Sequence, residues 1–320
     1  MDMETTPNEI NRAGLLAPDE LETPPLSLGQ LTWLRFRRHK MAIFGAVTLV
    51  LLVLYTFGGM LFFSEADANR VETGARLQAP SAAHPFGTDT IGRDILARTI
   101  YGGQISMMIG LTAMLVEALM GVLIGAAAGF FGGRLDSILM RITEAVIVIP
   151  QIFLLLVMAK FFGGSLPNIQ IFGRTLSGSV VVIILIIGLT SWPYLARIVR
   201  AQFLSIKEND FILAARATGT PVHEIIFRHI LPNSMAPIIV AATLGVANAI
   251  TAEAYISFLG LGVRPPTATW GNMLEGAYNY IESAWWLWFF PGVLIALTVL
   301  SINFLGDGLR DALDPRSRAV

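Results

Sequence analysis

Six runs of apolar residues, near 41–63, 104–130, 140–162, 179–199, 235–259 and 285–306, constrain this chain more than anything else in it. A helix needs about 20 residues to cross the hydrocarbon core of a bilayer, and each run is long enough. Helices that are hydrophobic all round cannot be shared out over the core of a soluble protein of this size. With 54% hydrophobic and 14% charged residues, the composition agrees. The expected fold is all-α: a polytopic membrane protein with six transmembrane helices.

Basic residues orient it. With both termini inside, fifteen lie on the inner side: Arg12, Arg35, Arg37, Arg38, Lys40, Arg134, Arg141, Arg197, Arg200, Lys207, Arg216, Arg228, Arg310, Arg316 and Arg318. Only Arg70, Arg76, Arg93, Arg98, Arg174 and Arg264 fall outside, and Lys160 sits near an outer span end. That asymmetry places both termini in the cytoplasm by the positive-inside rule. Residues 1–40 lack the apolar core of a signal peptide, so the first span reads as an uncleaved anchor. The chain has no cysteine, which excludes disulfides, CxxC redox chemistry and thiolate metal sites.

The chain then divides in order. Residues 1–40 form a cytoplasmic tail: 1–25 are polar, acidic and read as disordered, and 26–40 suit a short interfacial helix. The first transmembrane helix covers 41–63 and an extracytoplasmic segment 64–103. From Asp89 onward that segment suggests a capped interfacial helix with Asp94 and Arg98 paired at i,i+4. A five-helix core spans 104–310, and 311–320 is a second cytoplasmic tail. Gly121, Gly125 and Gly129 repeat every four residues in the second span, where bare backbone lets another helix approach closely. Packing within the chain is the preferred reading of that stripe, and a subunit interface the other.

Charges inside spans are costly and mark functional candidates. Glu117 lies midway along the second span and Glu253 in the outer half of the fifth. Glu253 reads equally as a pore-lining acid or as a packed carboxyl bonded to a neighbouring helix. Asn248 and Thr251 are further pore candidates, with Gln151 and Ser191 behind them. Arg141 and Glu144 are spaced to pair at i,i+3. Pro193 permits a kink in the fourth span.

Residues 205–232, between the fourth and fifth spans, carry a designed helix pair on the basic side. Asn209 or Asp210 caps a helix running to Thr218, and Gly219 stands where a left-handed residue ends it. Thr220 is then expected to cap a second helix with Pro221 at its first position, ending at Pro232-Asn233. Phe211, Ile212, Ala215, Ile225, Ile226 and Phe227 are too apolar to face water; they must bury against the spans or against a soluble partner.

Ala214-Ala215, Gly219 and Leu231-Pro232 stand at the spacing of the EAA loop of ABC-importer permeases, which this segment resembles. It departs from the motif at Leu213, where a Glu would stand, and at His229, where an Ile would stand. The run His84-Pro-Phe-Gly-Thr-Asp, Gly92-Arg-Asp, Glu253-Ala-Tyr-Ile-Ser-Phe-Leu-Gly-Leu-Gly, Pro265-Pro, Trp270-Gly-Asn-Met-Leu, Trp285-Trp, Pro291-Gly and Gly306-Asp-Gly-Leu-Arg-Asp-Ala-Leu-Asp-Pro-Arg narrows the resemblance. It is similar to the C-type subunit of dipeptide/oligopeptide permeases over roughly residues 30–316. That resemblance implies an ABC type I importer fold in a bacterial or archaeal cytoplasmic membrane. It further implies a second homologous permease subunit, two cytoplasmic ATPase subunits, an extracytoplasmic solute-binding protein docking on 64–103 and 261–284, and a peptide substrate. The implied coupling residues are Phe211, Ala214, Ala215, Gly219, Thr220, Pro221, His229, Leu231 and Pro232.

The chain has no ATPase site of its own. None of Lys40, Lys160 and Lys207 follows a glycine, so no P-loop is present. Leu26-Ser-Leu-Gly-Gln resembles an ABC signature loop without a nucleotide-binding domain around it. His39, His84, His223 and His229 all lie outside the spans and show no zinc spacing. The expectation is a transport subunit with no catalytic residue, metal or cofactor of its own, ATP and Mg being used by partner chains, and with no nucleic-acid role. An ion-coupled secondary carrier is the alternative; it would show symmetric halves with paired polar breaks, which are absent by eye. A membrane scaffold recruiting a soluble enzyme would leave the polar span groups without a use.

Overall fold

The computed structural model describes residues 27–171 and 174–314. The expected disorder of residues 1–25, and the residues Arg12, Arg316 and Arg318, lie outside the described residues.

Helix α1 (Leu28–Arg38) opens on a capping box: Ser27 Oγ accepts from the Gln30 amide, and Gln30 Oε1 accepts from the Ser27 amide. The signature-like run is therefore a helix start. Helix α2 (Lys40–Val53) follows after His39, whose Nδ1 accepts from the Ala42 amide, and continues through irregular turns to Leu61. A short α3 (Glu65–Asn69) follows, capped by Ser64.

Helix α4 (Ile95–Phe131) is 37 residues long. It absorbs the last nine residues of the expected outer segment 64–103, so the separate interfacial helix is corrected to the first turns of a span. Asp94 caps it through Oδ1, which accepts from the Ala97 amide, while Oδ2 lies 2.8 Å from His84 Nδ1. The expected Asp94–Arg98 pair does not form. Arg98 Nε instead lies 4.0 Å from Asp89 Oδ2, and Nη1 donates to the Ala68 carbonyl and to Asn69.

The third run, expected as one span over 140–162, is two helices, α5 (Gly133–Val148) and α6 (Gln151–Phe162), bent by 86°. The bend is at Pro150, which has no amide hydrogen to donate and pushes Ile149 into extended backbone. Among the described residues five helices are each long and apolar enough to span, and the bent pair makes a sixth if counted as one. Strands β1 (Ile169–Ile171) and β2 (Arg174–Leu176) form a small antiparallel hairpin before α7 (Gly178–Ile206). Helices α8 (Asp210–Ala217), α9 (Val222–Glu224) and α10 (Leu231–Asn233) lie between α7 and α11 (Met235–Phe258); α12 (Trp270–Met273) and α13 (Trp286–Leu313) complete the order.

The α4–α7 pair is the most extensive contact in the fold, and α11 and α13 close around it with α2 on the outside. Its register is read from the glycines. A Cβ on Gly121 would meet Leu195, one on Gly125 would meet Ala196 and Val199, and one on Gly129 would meet Arg200 and Phe203. Contacts advance by four residues on both helices, so α4 and α7 run parallel with ridge against ridge. The glycine stripe is filled from within the chain. Gly188 reciprocates, its Cβ position falling against Val116 of α4.

The C-terminal end of this pair is locked to α5. Arg200 of α7 donates from Nε and Nη2 to the two oxygens of Asp136, at 2.5 and 2.6 Å. Such a fork is among the stronger side-chain pairs. Arg200→Lys keeps the charge and loses the fork. It is expected to lower stability by about 1 kcal/mol, read as a fall in melting temperature in detergent. Unchanged melting would remove the fork from the set of contacts that hold α5. By contrast, Arg141 and Glu144 pair as expected, 3.7 Å apart, on an exposed face where such a pair contributes little.

The segments 64–94 and 261–284 are built rather than loose. Trp286 Nε1 donates to the Thr88 carbonyl, and Phe86 stacks on Phe290. Trp270 Nε1 donates to the Thr99 carbonyl, and Asn272 Nδ2 donates to the carbonyls of Val263 and Thr267. These bonds tie both to the N-terminal ends of α4 and α13.

Candidate functional site

Two places gather the candidate residues: the helix pair between α7 and α11, and a cavity between α4, α6, α7 and α11.

At the helix pair, α8 begins after Asn209, whose carbonyl accepts from the Ile212 and Leu213 amides; its side chain makes no cap bond. The end of α8 is a full Schellman turn. Gly219 N–H donates to the Arg216 carbonyl and Thr220 N–H to the Ala215 carbonyl, with Gly219 at φ +79°. The expected Thr220 cap is corrected by one residue. Pro221 stands at the cap position, its carbonyl accepting from the Ile225 amide, and Thr220 Oγ1 lies beside Thr218 Oγ1 instead. Proline's fixed φ and extended ψ set the entry one residue later than the Thr-cap rule suggests.

The second helix runs through α9, a stretch of wider π-type turns over Ile225–Ile230, and α10. Those wide turns directly precede Pro232, whose ring would clash with the Arg228 carbonyl in a regular α-helix. The helix ends at Asn233 as expected, and the buried Ser234 makes the break before α11.

The apolar residues of the pair divide between two faces. Ile212, Ile225 and Ile230 are buried in one cluster with Leu195, Val199, Phe203, Ile206 and Ile238. Phe211, Leu213, Val222 and Phe227 are exposed, Phe227 at 66%. Ala214, Gly219, Pro221 and Pro232 are exposed with them; Ala215, Thr220, His229 and Leu231 are half-buried. Of the two destinations foreseen, the structure shows the first for Ile212 and Ile225, which anchor the pair to the spans, while Phe211 and Phe227 remain as an exposed apolar surface. Leu213, at the position of the motif glutamate, belongs to that surface. Arg216 sits over the Phe130 ring at 5.7 Å, and Lys207 Nζ donates to the Gly129 carbonyl, so the C-terminal end of α4 carries the pair from one side.

The cavity has a volume of about 550 Å³. Glu117 comes from α4, Gln151 and Leu155 from α6, Ser191 and Tyr194 from α7, and Gly245, Asn248, Thr251 and Tyr255 from α11. Gln151 Nε2 donates to Ser191 Oγ at 2.9 Å across the bent pair and α7. Thr251 Oγ1 donates to the Ala247 carbonyl, which leaves its oxygen as an acceptor. Tyr194 and Tyr255 were not among the sequence candidates; a rule that seeks charges in apolar runs passes over tyrosine.

Glu253 is elsewhere. It is 1% exposed, accepts from Ser257 Oγ at 2.6 Å and from Ser106 Oγ of α4 at 3.3 Å, and does not line the cavity. Of its two expected roles the geometry fits the packed carboxyl. The Ser106 hydroxyl also accepts from the Trp270 amide, so this network joins α4, α11 and α12.

Residues 121–319 match the family described as the binding-protein-dependent transport system inner membrane component. Residues 27–80 match the N-terminal TM domain of oligopeptide transport permease C. A putative peptide permease of Brucella suis biovar 1 is 41% identical over 287 residues, covering 88% of this chain and 89% of the relative. The dipeptide transport system permease protein DppC of Bacillus subtilis is 40% identical over 301 residues, covering 94% and 89%. Among solved structures, an inward-facing MetNI methionine ABC transporter chain superposes with a TM-score of 0.52 at 21% identity, covering 69% of this chain and 98% of that one. That likeness is one of fold.

Proposed function

The chain belongs to the family of binding-protein-dependent transport system inner membrane components, and from that premise we propose that it forms half of the pore of an ATP-driven importer of di- or oligopeptides. A second homologous permease subunit supplies the other half. Two cytoplasmic ABC ATPase subunits drive the cycle, and an extracytoplasmic binding protein delivers substrate to 64–94 and 261–284. Both termini are cytoplasmic. ATP and Mg are used by the ATPases, and this chain transports without catalysing.

The observation that carries this reading is the two-faced helix pair. A cytoplasmic segment with Ile212, Ile225 and Ile230 set into the span core moves with α7 and α11. The same segment offers Phe211, Leu213, Val222 and Phe227 to a partner, the mode in which an apolar helix face fills a groove. A push on that face is delivered to the helices that wall the cavity. The ion-coupled carrier has no use for this surface.

Absence of native cysteine makes the test direct. Single cysteines at Ala214 and Thr220 are expected to crosslink to a cysteine-bearing ATPase in the assembled complex. Assembly with no crosslink at any position of 209–230 would overturn the coupling role.

A further inference from the structure

Among the described residues two carboxylates inside the spans are buried, Glu117 and Glu253, and their surroundings differ. Glu253 is enclosed and satisfied by two serine hydroxyls. Glu117 is 7% exposed, and among the described residues no hydrogen bond or ion pair reaches it. Its oxygens are not sealed in, since no fully buried polar atom lacks a partner among the described residues. They therefore face the cavity that Glu117 lines. Gly245 makes this possible: a Cβ there would stand 3.2 Å from Glu117 Oε2, so the carboxylate lies against bare backbone of α11.

No Lys, Arg or His lines this cavity. Its other polar groups are Gln151, Ser191, Asn248, Thr251 and two tyrosines, all neutral side chains. With Glu117 ionised, a site with one acid and no base carries a negative potential that the low dielectric strengthens. An unpartnered charge at this depth is costly, and such groups serve pathways. What would compensate it is a cation small enough to enter.

We propose that Glu117 receives a protonated amine of the substrate as it passes through the cavity, making this residue a determinant of charge selectivity in translocation. The inference rests on the peptide-importer reading, in which every free dipeptide brings an α-ammonium group. A substrate side chain is the other source of the same chemistry. Gln151, Asn248 and Thr251 then offer acceptors around the ammonium, while the carboxylate supplies the charge. Anionic substrates are disfavoured by the same field.

The first test is uptake by the complete importer in proteoliposomes at saturating binding protein, using Ala-Ala and Lys-Ala, with wild type, Glu117→Gln and Glu117→Asp compared in complexes that co-purify normally. Glu117→Gln is expected to lower the maximal rate on the order of tenfold, and Glu117→Asp to retain more of it. Loss for both peptides assigns the α-ammonium, and loss for Lys-Ala alone the side-chain ammonium. Equal maximal rates for wild type and Glu117→Gln on both peptides overturn the proposal and leave the importer reading standing. No ATP-dependent peptide uptake by wild type overturns the importer reading itself.

A second measurement does not depend on uptake. In an Asn248→Cys protein, a cationic methanethiosulfonate should react faster than an anionic one, on the order of tenfold after correction for intrinsic reactivity. That preference should collapse when Glu117→Gln is added. Equal corrected rates for the two reagents also overturn the proposal.

Discussion

Replacing Gly219 by valine is expected to uncouple ATP hydrolysis from uptake. Gly219 holds φ +79°, and nothing lies within 4 Å of the position its Cβ would take. The effect is therefore one of backbone conformation and not of crowding. A left-handed residue costs an L-amino acid roughly 1–2 kcal/mol, and β-branching makes that conformation an outlier. Relaxing it breaks the two bonds of the Schellman turn, from Gly219 to Arg216 and from Thr220 to Ala215. The angle between α8 and the second helix then changes, while Ile212, Ile225 and Ile230 still hold the segment to the spans. The protein folds, and the partner surface is misaligned. Uptake per ATP should fall on the order of tenfold, the equivalent of about 1.4 kcal/mol of lost coupling. Gly219→Asn should stay near wild type, since Asn tolerates the left-handed region. Phosphate release and peptide uptake measured together in proteoliposomes decide it. Equal coupling in the Val and Asn variants would show that the turn does not set the geometry of force transfer.

The largest structural effect is expected at Gly125. A Cβ there would stand 2.5 Å from the Ala196 carbonyl oxygen and 2.7 Å from the Val199 Cβ. Both obstacles belong to the backbone or its first side-chain atom on α7, so no rotamer change relieves them. Gly125→Val must separate α4 from α7, and that contact organises the fold. Overpacking of this kind costs about 1–3 kcal/mol, more when a helix pair has to move. Loss of packing in lipid is not offset by any hydrophobic driving force between helices. The expected result is a sharply reduced yield of monodisperse protein and a lower melting temperature. Gly292→Ala is the control: nothing lies within 4 Å of its Cβ position in α13, and alanine favours the helix. Similar melting of the two variants would mean that α4 and α7 approach less closely than their register implies.

The helix pair was legible because its rules are local. A glycine needing positive φ, a proline near a helix start and an alternation of apolar residues are properties of a few neighbouring positions. Even there the start of the second helix moved from Thr220 to Pro221, where two capping rules competed within one residue. The bend in the third run was missed for a related reason. Averaged over about 20 residues, the apolar run around 140–162 conceals Pro150, and one proline turned one expected span into two helices. Asp94 and Arg98 have the spacing of an ion pair, but Asp94 meets His84 while Arg98 meets Asp89, Ala68 and Asn69. Long-range competition of that kind leaves no trace in an i,i+4 pattern.

What the sequence alone determined was the membrane character of the chain and the turn that shapes the helix pair. Hydropathy and turn chemistry act along the chain and need no fold to be read. The tertiary structure decided which face of the pair is anchored and which is offered, and that the glycine stripe is filled by α7. It also separated two glutamates that look alike in sequence. Glu253 meets Ser106, 147 positions away, while Glu117 meets only the bare Gly245 and an open cavity. The reason is physical: whether a carboxylate in a membrane is satisfied or available depends on the groups that packing brings to it, and packing joins residues far apart in the chain.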